Sequence, residues 1–455
     1  MSKKTVVFFC TECGNETPRW QGQCPACSAW NTLVEEPVAP KNRRASKTSR
    51  TNGRDGAAPV KLGEVTASEV TRWGTGLDEL DYVLGGGIVP GSLVLLGGEP
   101  GIGKSTLLLQ VAARLEADQR STLYVSGEES GSQIRMRADR LNETATAVTY
   151  LGETDLTAIL AHAEQLKPAV LIVDSIQTVF SPELESAPGN VTQVRECAAR
   201  LQRFAKESGT AVFLVGHVTK DGVVAGPRTL EHIVDTVLYF EGATTLDYRM
   251  LRASKNRFGS VDEIGVFRMS GSGLTGVANP SELFLSERSD GASGAAVAAI
   301  LEGTRPVLVE VQALCAKASY GSPQRVANGY DRQRLTLLLA ILERRAGMPF
   351  GQLDVFLNVV GGVRISEPAA DCAIAAALVS AVTDRAIAST DVFIGEVGLG
   401  GELRSVTQLE RRLAEAERMG FRRAHIPRRG GAPRTGNGLA SVQSATLSEL
   451  IQQVG

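Results

Sequence analysis

Nowhere do the 455 residues hold an apolar run long enough to cross a bilayer. The longest predominantly apolar stretch, Ala373–Val382, falls well short of the ~20 residues a spanning helix needs. An export leader is missing too. The opening "MSKKTVVFFCTECG" offers four consecutive apolar residues before a cysteine pair, so a cytoplasmic location is expected. Net charge is nearly absent, at −2, which excludes binding of polyanions by bulk charge; any such site must come from local clustering. Cysteine is scarce and odd in number, at 7, which argues against a disulfide framework. The remaining composition, 43% hydrophobic and 22% charged, is that of an ordinary globular chain. The length suits roughly three domains.

The cysteines that are present are unevenly placed. Cys197, Cys315 and Cys372 lie scattered in apolar surroundings and read as small core residues. The other four fall in "CTECGNETPRWQGQCPACSAW" as Cys10-x-x-Cys13 and Cys24-x-x-Cys27. Each C-x-x-C turn aims two thiolates at one point, and two turns supply the four sulfurs of a tetrahedral zinc site. So short a segment cannot bury enough apolar surface to fold alone, so the metal would supply its folding free energy. A redox C-x-x-C would need a helix and a sheet around it, and neither is evident. Trp20 and Trp30 are expected to pack around this clip rather than to form a recognition surface. Residues 1–34 are thus a zinc module. Residues 35–60 follow with Lys41, Arg43, Arg44, Lys47, Arg50 and Arg54 among Pro, Gly, Ser and Asn, a basic tether.

From residue 61 to 275 the sequence reads as a nucleotide-handling α/β domain. A buried strand, Leu93–Leu96, runs into Gly98-Glu99-Pro100-Gly101-Ile102-Gly103-Lys104-Ser105, with Thr106 next, and then into an apolar-periodic helix. The loop satisfies G-x-x-x-x-G-K-[ST] in full and in the strand–loop–helix context that the pattern requires. Its glycines let backbone N–H groups curl around phosphates at a helix N-terminus. Lys104 would reach the β- and γ-phosphates of ATP, and the Ser105 hydroxyl would bind Mg²⁺. "AVLIVDS" ends in Asp174, a carboxylate suited to orienting the metal's water shell. "STLYVSGEES" delivers Glu128 and Glu129 to the same edge, Glu128 being the first choice for activating water and Glu129 the alternative. "TAVFLVGH" ends in His217, placed to sense the γ-phosphate.

Downstream, "SKNRFGS" sits at a strand's end and sets Lys255 and Arg257 two residues apart, projecting together at about 7 Å. Two adjacent cations need an anionic partner, and the chain's own phosphate site already has Lys104. Both are therefore expected to point outward into the nucleotide of a neighbouring subunit, with a direct DNA contact as the rival reading.

"GTGLDELDYVLGGGIVPGSLVLLGGEPGIGKST", "YVSGEES", "LIVDS" and "KNRFG" together resemble the bacterial RadA (Sms) family of DNA repair proteins, within the RecA/DnaB-like ATPases. The four-cysteine clip and the last part of the chain fit the same family, so the resemblance spans nearly the whole sequence. It implies an ATP-driven motor on single-stranded DNA that processes branched recombination intermediates, working as a homo-hexamer alongside RecA recombinase and replication proteins. The K-N-R spacing is similar to the paired finger of DnaB-type hexameric helicases, which favours the trans reading. In such a ring the loops Phe180–Arg195 and Thr219–Arg228 would face DNA, with Lys220 and Arg228 as phosphate contacts.

Residues 276–455 resemble the proteolytic domain of Lon, in which a lysine activates a serine. In "SEPAADCAI" Ala369 stands at the serine's place, and in "FIGEVGLGGELRSVTQLERRLAEA" Glu410 stands at the lysine's. Nucleophilic catalysis needs a hydroxyl or thiol beside a base, so the domain is expected to be catalytically inactive and to serve as a scaffold. Cys372 has no partnered histidine in view. The competing functions are an ATP-dependent Lon-like protease and a non-motor RecA-like DNA-binding ATPase.

Overall fold

The computed structural model describes residues 5–10, 16–26, 28–38, 71–141, 147–217, 229–242, 248–286, 288, 291–318, 323–428 and 438–454. Cys13, Cys27, Lys220 and Arg228 lie outside the described residues. The chain forms two compact units, one of Met1–Gly242, Arg249–Val261 and Met269–Thr275, the other of Ala243–Tyr248, Asp262–Arg268 and Gly276–Gly455.

The first unit opens with a small antiparallel sheet of β1 (Thr5–Cys10), β2 (Glu16–Thr17) and β3 (Leu33–Val38), in the order β2-β1-β3. Helix α1 (Asp78–Leu84) comes next. The centre of the unit is parallel: β4 (Leu93–Gly98), β5 (Thr122–Ser126), β6 (Thr149–Leu151), β7 (Val170–Asp174), β8 (Ala211–His217) and β9 (Thr236–Glu241). Their spatial order is β9-β4-β8-β7-β5-β6. A parallel sheet covered on both faces needs strands that are apolar throughout. "LVLLGG", "TLYVS" and "VLIVD" meet that need, and every residue in them is buried. Helices α2 (Lys104–Ala117), α3 (Gly131–Arg140), α4 (Leu156–Leu166) and α5 (Val191–Ser208) connect the strands. Helix α5 shows why: Val194, Cys197, Ala198, Leu201, Phe204 and Ala205 recur at helical spacing and form its buried face. The Asn190 carboxamide accepts from Thr192 N–H at one end, and Gly209 closes the other. Strand β10 (Tyr248–Asn256) pairs antiparallel with β9, with a register shift between Ala253 and Lys255.

The second unit carries a seven-stranded mixed sheet, in the order Arg325–Asn328, Leu353–Val359, Arg305–Lys317, Ala295–Glu302, Asp391–Phe393, Arg423–Pro427, Ala440–Ser444. Against it lies the helix Asp371–Thr383, buried without interruption from Asp371 to Ser380. The longest apolar stretch of the sequence is thus a core helix. No helix among the described residues is long and apolar enough to cross a membrane. Both folds agree with the α/β expectation for a RecA-like core and a Lon-like domain.

Candidate nucleotide site

Four parallel strands stop together at the carboxyl edge of the sheet. Register places Gly98 beside His217 and Ser126 beside Asp174, so β4, β8, β7 and β5 bring their last residues to one edge, where parallel sheets bind ligands. Two glycines make the phosphate loop possible. Gly98 has φ +156°, and a Cβ there would stand 2.6 Å from the Phe240 carbonyl oxygen; Gly103 has φ +115°, and its Cβ would meet Met269 Cε at 2.6 Å. Helix α2 begins at Lys104 with no side chain capping its first turn, which leaves its N–H groups directed at whatever lies in the loop. The Lys104 ammonium is 3% exposed and donates to the carbonyls of Gly98 at 3.0 Å and Glu99 at 2.9 Å. Burial lowers its pKa, against the pull of Asp174 and Glu128. That opposition puts both carboxylates within electrostatic reach of the amine.

Asp174 is fixed by Tyr124, whose hydroxyl donates to Oδ2 at 2.6 Å. Burial, with Asp174 adding to it, keeps the phenol protonated far above its usual range. Tyr124 carries no motif in the sequence; its one signal is its place two residues before Ser126 on β5, on the same strand face.

Glu128 and Glu129 part company. Glu129 turns to Arg137, with Nη2 at 2.5 Å from Oε1. Glu128 turns inward, where the Ser175 hydroxyl donates to its Oε1 and His217 Nε2 stands 3.4 Å from the same oxygen. The Glu128 carboxyl is held below its ordinary range, first by His217; burial opposes this, and Ser175 and Lys104 assist. At 3.4 Å the imidazole contact is loose, and neither buried ring nitrogen of His217 makes a hydrogen bond. Among the described residues no hydrogen bond engages Glu128 Oε2. Ser175, which no sequence pattern singles out, thus orients the carboxylate through Oε1.

Lys255 and Arg257 do not join this group. The Lys255 ammonium donates to the carbonyls of Glu231 at 2.6 Å and Val234 at 2.8 Å, and Arg257 Nη1 lies 3.0 Å from Asp235 Oδ1. Asp235 also accepts from Leu93 N–H at 3.1 Å, at the beginning of β4. Gly98 ends that strand, five steps of about 3.3 Å away, so roughly 16 Å separates the pair's anchor from the phosphate loop. The expectation of two cations projecting freely side by side is corrected by this geometry. The register shift between Ala253 and Lys255 sets where Lys255 points, Arg257 lies beyond the strand's last residue, and each cation has an intramolecular partner. The turn that carries them is docked on α1: Asn256 Nδ2 donates to Val83 and Leu84 carbonyls at 3.4 and 3.3 Å, and Arg72 Nη2 to Phe258 O at 2.6 Å.

In the N-terminal sheet, Cys10 and Cys24 are 0% and 1% exposed, and a tight turn joins Ser28 N–H to Cys24 O and Cys24 N–H to Ala29 O. Trp20 and Trp30 do not pack around this core; they are 58% and 70% exposed. In the second unit, Ala369 is 1% exposed whereas Glu410 lies on the exposed side of its helix, Leu409–Arg418. Cys372 is buried, and desolvation drives its thiol above the usual range, an inert setting for a thiol. Arg412, fully buried, grips Glu367 through Nη1 at 2.7 Å and Nη2 at 2.6 Å and also donates to Ala299 O.

Comparison with known proteins agrees in each region. The family described as AAA domain matches residues 59–223, that of the rubredoxin metal binding domain matches 8–35, and that of the Lon protease (S16) C-terminal proteolytic domain matches 345–433. The DNA repair protein RadA of Bacillus subtilis (strain 168) is 51% identical over 94% of this chain and 93% of its own. RadA of Brucella abortus (strain 2308) is 49% identical over 100% and 98%, and RadA of Pseudomonas aeruginosa PAO1 is 51% identical over 95% of each chain. With an AAA domain that gathers Lys104, Asp174 and Glu128 at one sheet edge, and with half its residues shared along nearly its whole length, the chain belongs to the RadA family of DNA repair proteins.

Proposed function

We propose that the chain is a DNA-stimulated ATPase that moves single-stranded DNA and processes branched recombination intermediates by branch migration, assembled as a homo-hexameric ring. Its segments are a zinc module (1–34), a tether (35–60), a RecA-like domain (61–275) and an inactive Lon-like domain (276–455). The observation that carries this reading is the separation of Lys255 and Arg257 from the phosphate loop of their own chain. Their anchor at Asp235 stands about the length of β4 from that loop, which, with the K-N-R resemblance, supports a phosphate partner on another subunit.

In the cis half of the site, Lys104 withdraws from the carbonyls of Gly98 and Glu99 to meet the β- and γ-phosphates, while the N–H groups of residues 101–106 cradle them. Glu128, oriented by Ser175, takes the proton of the attacking water on Oε2. His217, loosely held beside it, senses the γ-phosphate and transmits its presence into the segment after β8. Ser105 and Asp174 fit a Mg²⁺ ion, which would supply charge neutralisation at the phosphates. In the trans half, Lys255 and Arg257 exchange their carbonyl and Asp235 contacts for the charge that develops on the transferring phosphoryl group, worth ~10³–10⁵ in rate. Lys220 and Arg228 serve as DNA contacts. The buried pair Cys10 and Cys24, with Cys13 and Cys27, fits a tetrahedral S₄ zinc site.

Mixing Lys104→Ala subunits with Lys255→Ala subunits tests the arrangement. Mixed rings should regain DNA-stimulated ATPase, because some junctions pair an intact loop with an intact finger. Inactive mixtures in demonstrably co-assembled rings would refute the trans assignment.

A further inference from the structure

Trp20 and Trp30 are the feature that the nucleotide chemistry leaves unexplained. They stand ten residues apart in sequence but are brought together by the backbone: Gln23 and Trp30 form an antiparallel bridge, Asn31 N–H donates to Gly22 O at 2.8 Å, and Gln23 Nε2 donates to Ser28 O at 2.8 Å. Between the two indoles lies Gly22. A methyl group built there would meet Trp30 Cζ3 at 3.6 Å and Trp20 Cη2 at 4.0 Å, so the six-membered rings of both side chains converge on one point above a residue without a side chain. Both rings face solvent, at 58% and 70% exposure. Large exposed aromatics on a sheet this small mark a contact surface.

The charge around them decides what the surface fits. From Thr17 to Val34, the segment that carries both indoles, the sequence holds one cation, the exposed Arg19, and no acidic residue; the glutamates of the ribbon, Glu12, Glu16, Glu35 and Glu36, lie on either side of it in sequence. Two converging aromatic planes in a segment whose one charge is an arginine match the chemistry of unpaired bases on an anionic backbone. Every base has a π-face for an indole, and Arg19 answers the phosphates. In a duplex those faces are occupied by neighbouring base pairs. We infer that Trp20 and Trp30 form a base-stacking platform through which the N-terminal ribbon grips single-stranded DNA. This rests on the reading of the chain as a DNA-binding motor and adds to it a second contact, separate from Lys220 and Arg228.

The chain holds 3 tryptophans, so a Trp73→Phe background leaves the ribbon pair as the only indole emitters. Titrating that full-length protein with a thymidine homo-oligomer should quench its emission to saturation, and the matching duplex should quench it much less. Adding Trp20→Ala and Trp30→Ala should weaken oligothymidylate binding about tenfold or more, and Trp20→Phe with Trp30→Phe should keep most of the affinity. Tight binding without quenching, or alanine variants within about twofold of the parent, would overturn the platform and leave the motor reading standing. Alanine variants that lose only a protein partner would overturn the platform equally. A chain that binds no single strand at all would overturn both.

Discussion

Glu128 and Glu129 are neighbours in sequence, yet the fold places them in opposite surroundings, and this difference sets the first predictions. Glu128→Gln should lower kcat by about 10²–10⁴ with nucleotide binding retained, because a positioned base is lost and the fold is not. Glu129→Gln removes a partly exposed ion pair with Arg137 and should leave kcat within about fivefold. Steady-state ATPase at saturating ATP separates the two, and equal losses would move the base elsewhere. The pH profile is a further check. With Glu128 as the proposed base, its ionised form is the competent one and its carboxyl is held low, so the rate should persist as the pH falls toward the usual carboxylate range. His217→Ala removes the largest stabiliser of that ionised form, so the acid limb of kcat should move to higher pH. The carboxylate pair was legible in "SGEES" because the edge of a parallel sheet is where such groups belong. Which of the two faces inward was not legible, because that depends on Ser175 and Arg137, neither of which carries a motif.

At the scale of elements, the short β4 and the docked turn after β10 govern the same question. The turn is held by Asn256, whose side chain donates to the carboxyl end of α1 and accepts from Phe258 N–H at 3.0 Å. Asn256→Ala should therefore cost about 1–3 kcal/mol in chemical denaturation and loosen the aim of Lys255 and Arg257. DNA-stimulated ATPase should fall while ATP affinity is unchanged. If turnover survives with the turn undocked, the aim of the two cations does not matter. The sequence made the cations visible through their spacing. The irregularity that redirects Lys255 left no mark, since alternation along "RASKN" gives no sign of where a strand slips.

For the whole molecule, each unit has its own chemistry and its own test. Stoichiometric zinc released by a thiol-reactive mercurial, with loss of structure at residues 1–34, is expected if the four thiolates close one site; a ribbon that keeps its far-ultraviolet and tryptophan signals without metal would contradict it. In the second unit, Arg412→Ala should destabilise folding by about 3–5 kcal/mol, since it leaves Glu367 without its buried partner, whereas replacing both by apolar residues of similar volume should be near neutral. The reading of an inactive Lon-like domain rests on two residues in the sequence, Ala369 and Glu410. The clamp built beside it was not, because Arg412 in "ERRLAEAE" looks like one more solvated helix charge.

The packing around that clamp bears on whether a serine and lysine could be installed in this domain. A serine introduced at Ala369 would be sealed among Val297, Leu308 and Leu413, while a lysine introduced at Glu410 would wave in water. Ala369→Ser with Glu410→Lys would therefore yield a buried alcohol and an exposed amine rather than a serine beside its base.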